Sequence, residues 1–243
     1  MTRTVVVTGG ATGIGRATVQ RFLAAGERVV ALGRGRQALA RLGGAETLVC
    51  DVTDEEAVAA TFAEIGNVDV LVNNAGMGES APLASTTLES WARHLAVNAT
   101  GPFLCMRAVV PGMRTRGTGA VVTVASTAGR AGVPYTTAYS ASKHAVIGLT
   151  RAVASEVAGT GVRVNAVCPT FVRTEMTARS VDNIVARTGR AADEAEAALA
   201  AAAPLGRLLE PGEVADAILF LTSPAATAIN GQAVVIDGGG IQA

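Results

Sequence analysis

Several things are scarce in this 243-residue chain, and each shortage removes a class of function. Its three cysteines, Cys50, Cys105 and Cys168, are odd in number, lie far apart and form no C-x-x-C pair. Neither a disulfide framework nor a thiolate zinc site is therefore signalled, and buried free thiols are expected. The two histidines, His94 and His144, have no second ligand near them in sequence, which argues against a catalytic transition metal. Formal net charge is zero and no basic stripe runs along any segment, so a nucleic-acid partner is not expected. Charges or glycines interrupt every apolar run before it reaches the roughly 18 residues of a membrane span. Residues 1–3 lead directly into Val5, Val6 and Val7, with no signal-peptide core before them. A cytoplasmic protein without a membrane partner is the expectation.

What is present in quantity is apolar surface and a regular alternation. With 49% hydrophobic residues the chain can bury one large core, and its length suits a single domain covering residues 1–243. Short β-branched runs at 4–7, 28–32, 47–50, 68–72, 120–124, 163–167 and 233–236 read as strands. Between them, 15–25, 54–65, 88–115, 138–158 and 211–221 carry apolar residues at helical spacing. This alternation predicts an α/β fold: a doubly wound, Rossmann-like parallel sheet with helices on both faces. Between Thr174 and Pro204 no strand is legible, and 191–203 is mostly alanine, so 175–203 is expected to be extra helix forming a lid over the site.

Ligands of such sheets sit at the carboxyl ends of the strands, so the residues there carry the chemistry. After the first strand comes Thr8-Gly9-Gly10-Ala11-Thr12-Gly13-Ile14-Gly15, then a helix. Glycines there permit a tight turn and close approach of a pyrophosphate to the positive end of the helix dipole. Tyr139 and Lys143 are four apart on a predicted helix and therefore share a face, which places an ammonium near a phenol. Such a charge favours the phenolate and would make Tyr139 an acid or base near neutral pH. Ser126 follows the strand at 120–124, where its hydroxyl can donate to a carbonyl oxygen. Asn98, inside a long predicted helix, is a local misfit of the kind that marks function. At the end of the second strand, Gly33-Arg34-Gly35-Arg36 offers no acidic residue for a ribose but does offer guanidinium groups, which predicts NADP(H) in preference to NAD(H), with Arg34 on the 2′-phosphate.

The turn spacing T-G-x-x-x-G-x-G, followed in order by Asn73-Asn74-Ala75-Gly76, Ser126 and Tyr139-Ser140-Ala141-Ser142-Lys143, resembles the short-chain dehydrogenase/reductase family over nearly the whole chain. The resemblance implies Ser126, Tyr139, Lys143 and Asn98 as the catalytic set. It also implies a cofactor site of Gly9, Thr12, Gly13, Ile14, Gly15, Arg34, Asp51, Val52, Asn74, Ala75, Gly76, Val172 and Thr174, shared with Tyr139 and Lys143. Where the family usually shows Pro-Gly, this chain has Pro169-Thr170, which questions the loop beside the nicotinamide. Segments such as 116–119, 125–129 and 140–144 look most like polyketide and fatty-acyl ketoreductases, implying a 3-oxoacyl thioester on an acyl carrier protein or coenzyme A, with Arg130 the candidate anchor for its phosphate. A dehydrogenase of a small or cyclic secondary alcohol is the alternative. The intact Ser126, Tyr139 and Lys143 argue against a catalytically silent dinucleotide-binding regulator. The resemblance further implies a homotetramer built on the helices at 88–115 and 138–158.

Overall fold

The computed structural model describes residues 2–242. Seven strands form one sheet: β1 (Thr4–Thr8), β2 (Arg28–Gly33), β3 (Glu46–Val49), β4 (Val70–Asn73), β5 (Gly119–Val124), β6 (Val162–Pro169) and β7 (Ala233–Ile236). Their order is β3-β2-β1-β4-β5-β6-β7, and each neighbouring pair is parallel. The helices that cross between them are α1 (Gly13–Ala24), α2 (Arg36–Leu39), α3 (Glu55–Ile65), α4 (Leu88–Leu95), α5 (Gly101–Arg116), α6 (Thr137–Glu156), α7 (Glu175–Thr188), α8 (Ala192–Ala201) and α9 (Pro211–Thr222). The expected doubly wound sheet is the observed one.

Side chains alternate across a strand, yet both faces of this sheet are covered, which is why the strands read as unbroken β-branched runs. Val6, Leu71, Val121 and Val164 face Phe62 of α3 and Leu104 and Met113 of α5. Val5, Val7, Val72 and Val122 pack on the other side against Phe22 of α1 and Ile218 and Leu221 of α9. Only the edges are open: β3 is mostly exposed, and its Glu46 is paired with Arg28 of β2 at 2.7 Å. Connections run outward in opposite directions from β1 and β4, so a crevice opens at their carboxyl ends.

The predicted helix at 88–115 is interrupted. Residues Ala96–Thr100 form a single π-helical turn between α4 and α5, and Asn98 sits in its middle. A π-turn widens the helix by one residue and turns side chains off the regular stripe, as often happens at functional sites. The segment at 175–203 is helical as expected, forming α7 and α8, with a break at Gly189 in a left-handed conformation.

Candidate active site

The crevice holds a cavity of about 280 Å³. Its amino-terminal side is made of backbone. Gly9 has φ +63° and Gly13 φ +50°, a region where a side chain is strained. A Cβ on Gly9 would lie 2.9 Å from the Ala75 Cα, one on Gly13 2.9 Å from the Thr174 methyl, and one on Gly15 would strike the Gly9 carbonyl. The turn is stapled to the end of β4. Asn74 Nδ2 donates to the Thr8 and Gly9 carbonyls, each at 3.0 Å, while Thr8 Oγ1 accepts from the Asn74 and Ala75 amides. Helix α1 starts beside it without a side-chain cap and without an acid in its first turn, so its amide groups and dipole are left to an anion. This is a cradle that fits a dinucleotide pyrophosphate.

Gly9, Thr12, Gly13, Ile14, Asn74, Ala75, Gly76, Val172 and Thr174 all line the cavity. Gly15, Asp51, Val52 and Asn98 stand behind it. Gly15 acts by making room for the turn, and Val52 packs on the start of α5, where a Cβ on Gly101 would be 2.8 Å from its methyl. Asp51 accepts from the Thr53 amide at 3.0 Å and its hydroxyl at 2.8 Å, and lies 3.8 Å from the guanidinium of Arg34. Burial works to raise the Asp51 carboxyl, but the Thr53 hydrogen bonds and the Arg34 charge outweigh it and hold it below its ordinary value. The Arg34 side chain is 76% exposed, so it is free to turn toward a ligand at the rim.

The opposite side is made of side chains. Ser126 leaves β5 in an extended conformation and accepts from the Ala128 amide at 3.1 Å. Tyr139 and Lys143 rise from α6, and Lys143 is the only lysine in the chain. It is 5% exposed and donates to the Val124 carbonyl at 2.8 Å. Desolvation brings its amine down to about 8. Gly129 permits this packing, because a Cβ there would lie 2.8 Å from the Lys143 carbonyl.

One sequence expectation is reversed here. Burial pushes the Tyr139 phenol above its ordinary value, and the hydrogen bond with Ser126 only partly opposes that shift. Lys143 does not offset this, although its Nζ lies over the ring 5.7 Å from the centroid, because its amine loses its proton near about 8, before the phenol titrates. Two other expectations also change. Thr170 needs no glycine-like backbone: Tyr135 is the one non-glycine with positive φ among the described residues, and the Thr170 amide simply pairs with Ile236 at 3.1 Å. Arg130, the expected mouth arginine, does not itself line the cavity, although its charge reaches the buried Cys168 thiol. Arg179 is shared by the cavity and the groove outside it, and that groove is also lined by Arg187, one helical stripe further along α7, and by Arg34 and Arg93, which are paired with Asp51 and Glu79. Nothing in the sequence distinguished them from surface charges.

Asn98 is 1% exposed and ties three elements together. Its Oδ1 accepts from the Met77 amide at 2.9 Å, and its Nδ2 donates to the Met77 carbonyl and to Ser142 Oγ, both at 2.9 Å. Ser142 in turn donates to the Tyr139 carbonyl at 2.7 Å. The misfit asparagine thus fixes the loop after β4 against the turn of α6 that bears Tyr139 and Lys143.

A nucleotide cradle facing a serine, a tyrosine and a lysine defines an oxidoreductase of the alcohol/ketone class that uses a nicotinamide dinucleotide. Residues 9–240 match the family model described as enoyl-(acyl carrier protein) reductase, and the chain belongs to the short-chain dehydrogenase/reductase family. It is 40% identical over 248 residues to 2,5-dichloro-2,5-cyclohexadiene-1,4-diol dehydrogenase of Sphingobium indicum, covering 98% of this chain and 96% of that one. It is 38% identical over 254 residues to 2-(R)-hydroxypropyl-CoM dehydrogenase of Xanthobacter autotrophicus, covering 98% of each. Among solved structures, a point variant of actinorhodin polyketide ketoreductase with NADPH superposes with a TM-score of 0.95 at 36% identity, over 98% of this chain and 97% of the other.

Proposed function

We propose that this protein is an NADP(H)-dependent reductase that converts a ketone to a secondary alcohol, acting on 3-oxoacyl thioesters carried by coenzyme A or an acyl carrier protein. The observation that carries the reading is the convergence of Ser126, Tyr139 and Lys143 on one wall of the cavity, opposite the glycine cradle. The nicotinamide, when bound, supplies or accepts the hydride. Gly9, Thr12, Gly13, Ile14 and Gly15 would receive the pyrophosphate, Asp51 and Val52 the adenine side, Asn74, Ala75 and Gly76 the middle of the molecule, and Val172 and Thr174 its carboxamide end. Arg34 would take the 2′-phosphate through a planar, charge-assisted fork.

Tyr139 gives its proton to the ketone oxygen as that oxygen becomes an alkoxide, and Ser126 donates a hydrogen bond to the same oxygen. A phenol held high by burial stays protonated at neutral pH, which suits an acid in the reductive direction. Lys143, buried and cationic below about 8, stabilises the phenolate that remains at neutral pH and would hold the ribose hydroxyls of the dinucleotide when it is bound. Asn98 keeps this pair in place through Ser142 and Met77.

Arg179 and Arg187 favour a substrate with a phosphate-bearing tail, since they make no ion pair with any described residue and face the groove that continues outward from the cavity. The relative that oxidises a cyclic diol favours the second reading, a cyclic secondary alcohol handled by the same residues in reverse. Purified protein assayed with NADPH against 3-oxoacyl thioesters, diketones and cyclic ketones decides between them. The thioesters should give the highest kcat/KM. A clear preference for cyclic ketones would move the assignment to the second reading, and no turnover of any ketone would overturn both.

A further inference from the structure

His94 is a buried titratable side chain beside the site that the catalytic reading leaves without a part. It is 1% exposed, near the end of α4, and four residues before Asn98. Its ring meets the Tyr139 ring edge-on, with centroids 6.4 Å apart and planes at 76°. Both ring nitrogens are committed. Nδ1 lies 2.7 Å from the Ser90 carbonyl, which can only accept, so Nδ1 carries the proton. Nε2 lies 3.1 Å from the Glu79 amide, which can only donate, so Nε2 is the bare acceptor. The environment therefore selects one neutral tautomer.

What this tautomer holds is the loop that packs against the tyrosine. A Cβ on Gly78 would be 3.3 Å from the Tyr139 Cε2, so the bare backbone of this loop lies close to the ring. Asn98 clamps the loop at Met77 and His94 clamps it at Glu79, one residue either side of Gly78. The Glu79 carboxylate adds a third tie to Arg93 of α4 at 2.7 Å. Gly78 and the histidine edge together limit the rotation and tilt of the phenol.

We propose that His94 is a positioning residue for Tyr139: its neutral Nδ1–H tautomer fixes the 77–79 loop and the edge of the tyrosine ring, and so sets the direction in which the phenol presents its proton. The inference rests on Tyr139 being the proton donor, and the tests below separate the two ideas.

Replacing His94 with leucine keeps apolar bulk but removes both hydrogen bonds, and should lower kcat about tenfold with cofactor KM within about twofold. Glutamine offers an acceptor to the Glu79 amide and a donor to the Ser90 carbonyl, so His94→Gln should recover kcat to within about threefold of the parent. With fluorotyrosine incorporated, only two signals arise, and the exposed Tyr135 serves as internal reference. The Tyr139 signal should shift or broaden in His94→Leu while Tyr135 stays put. An unchanged kcat with an unmoved Tyr139 signal overturns the proposal, as does equal damage from leucine and glutamine. If the leucine variant fails to fold, nitrogen NMR of the parent still decides. The chain has two histidines, and His94 must show the Nδ1–H form. An Nε2–H form would sink the idea, whereas a fully active Tyr139→Phe would sink the underlying assignment of Tyr139 instead.

Discussion

The two walls of the crevice are built on opposite principles. On the β1–β4 side, function depends on side chains that are missing: Gly9, Gly13 and Gly15 let backbone amides stand where a ligand can reach them. On the β5–α6 side it depends on side chains that are present, and two of them, Tyr139 and Lys143, occupy surroundings that oppose their charged forms. The first wall is easily damaged by adding a methyl group, the second by removing a polar atom. They should also differ in sign, since the glycine wall is stable as built, whereas the lysine wall holds a desolvated ammonium against its preference.

The sharpest way to break this contrast is Tyr139→Phe, which preserves packing and removes the donor. Catalysis should fall at least about a hundredfold with cofactor binding kept; near-normal turnover would remove Tyr139 from the mechanism. Next in size is the NADPH preference, set by the rim of the first wall. A contact worth about 1.5 to 3 kcal/mol gives roughly ten- to a hundredfold over NADH, and Arg34→Ala should erase most of it by weakening NADPH alone. Equal efficiency with the two cofactors in the parent would count against Arg34.

Stability measurements then test the difference in sign. Gly15→Ala should destabilise by about 1–3 kcal/mol, because a buried methyl must displace the Gly9 carbonyl. Lys143→Met should abolish most activity yet raise stability at neutral pH by about 1–3 kcal/mol, since the folded state then no longer desolvates a charge. The sign follows from linkage. The folded amine loses its proton near 8 and the unfolded one near 10.5, so between them the unfolded chain binds more protons and parent stability rises with pH. The gain from methionine should therefore shrink across that window, which denaturant melts at pH 7 and pH 10 would show. A variant less stable than the parent at pH 7 would contradict the account. The smallest effect expected is in the 175–203 segment, proposed as a lid: its amide exchange should slow on ligand binding, and equal protection with and without ligand would leave it a surface helix pair.

Legibility in the sequence followed the same division. The sheet and the glycine wall could be read because they depend on local rules, strand periodicity and turn spacing that each leave a mark within about ten residues. Ser126, Tyr139 and Lys143 could be placed together because a strand end and an i,i+4 pair are also local. Asn98 announced itself as a poor helix former, and the structure answers with a π-turn. What could not be read depends on long-range burial. The upward shift of Tyr139 comes from desolvation, which no spacing reveals, and in the sequence His94 is only a histidine with no second ligand near it. Arg179 and Arg187 were hidden for the same reason, since only the docking of α7 brings them to the groove. The homotetramer remains a proposal supported by the exposure of Leu88 (81%) on α4 and Phe103 (42%) on α5, and light scattering at micromolar concentration would refute it by showing a monomer.

Because Lys143 is the only lysine in the chain, protein labelled with ε-carbon-13 lysine gives one side-chain signal, and its titration reads the central claim directly. The account predicts that this signal titrates near about 8, and that the transition vanishes in Lys143→Met. A midpoint in the ordinary lysine range, near about 10.4, would show that the ammonium is not desolvated and that the second wall is not built as described.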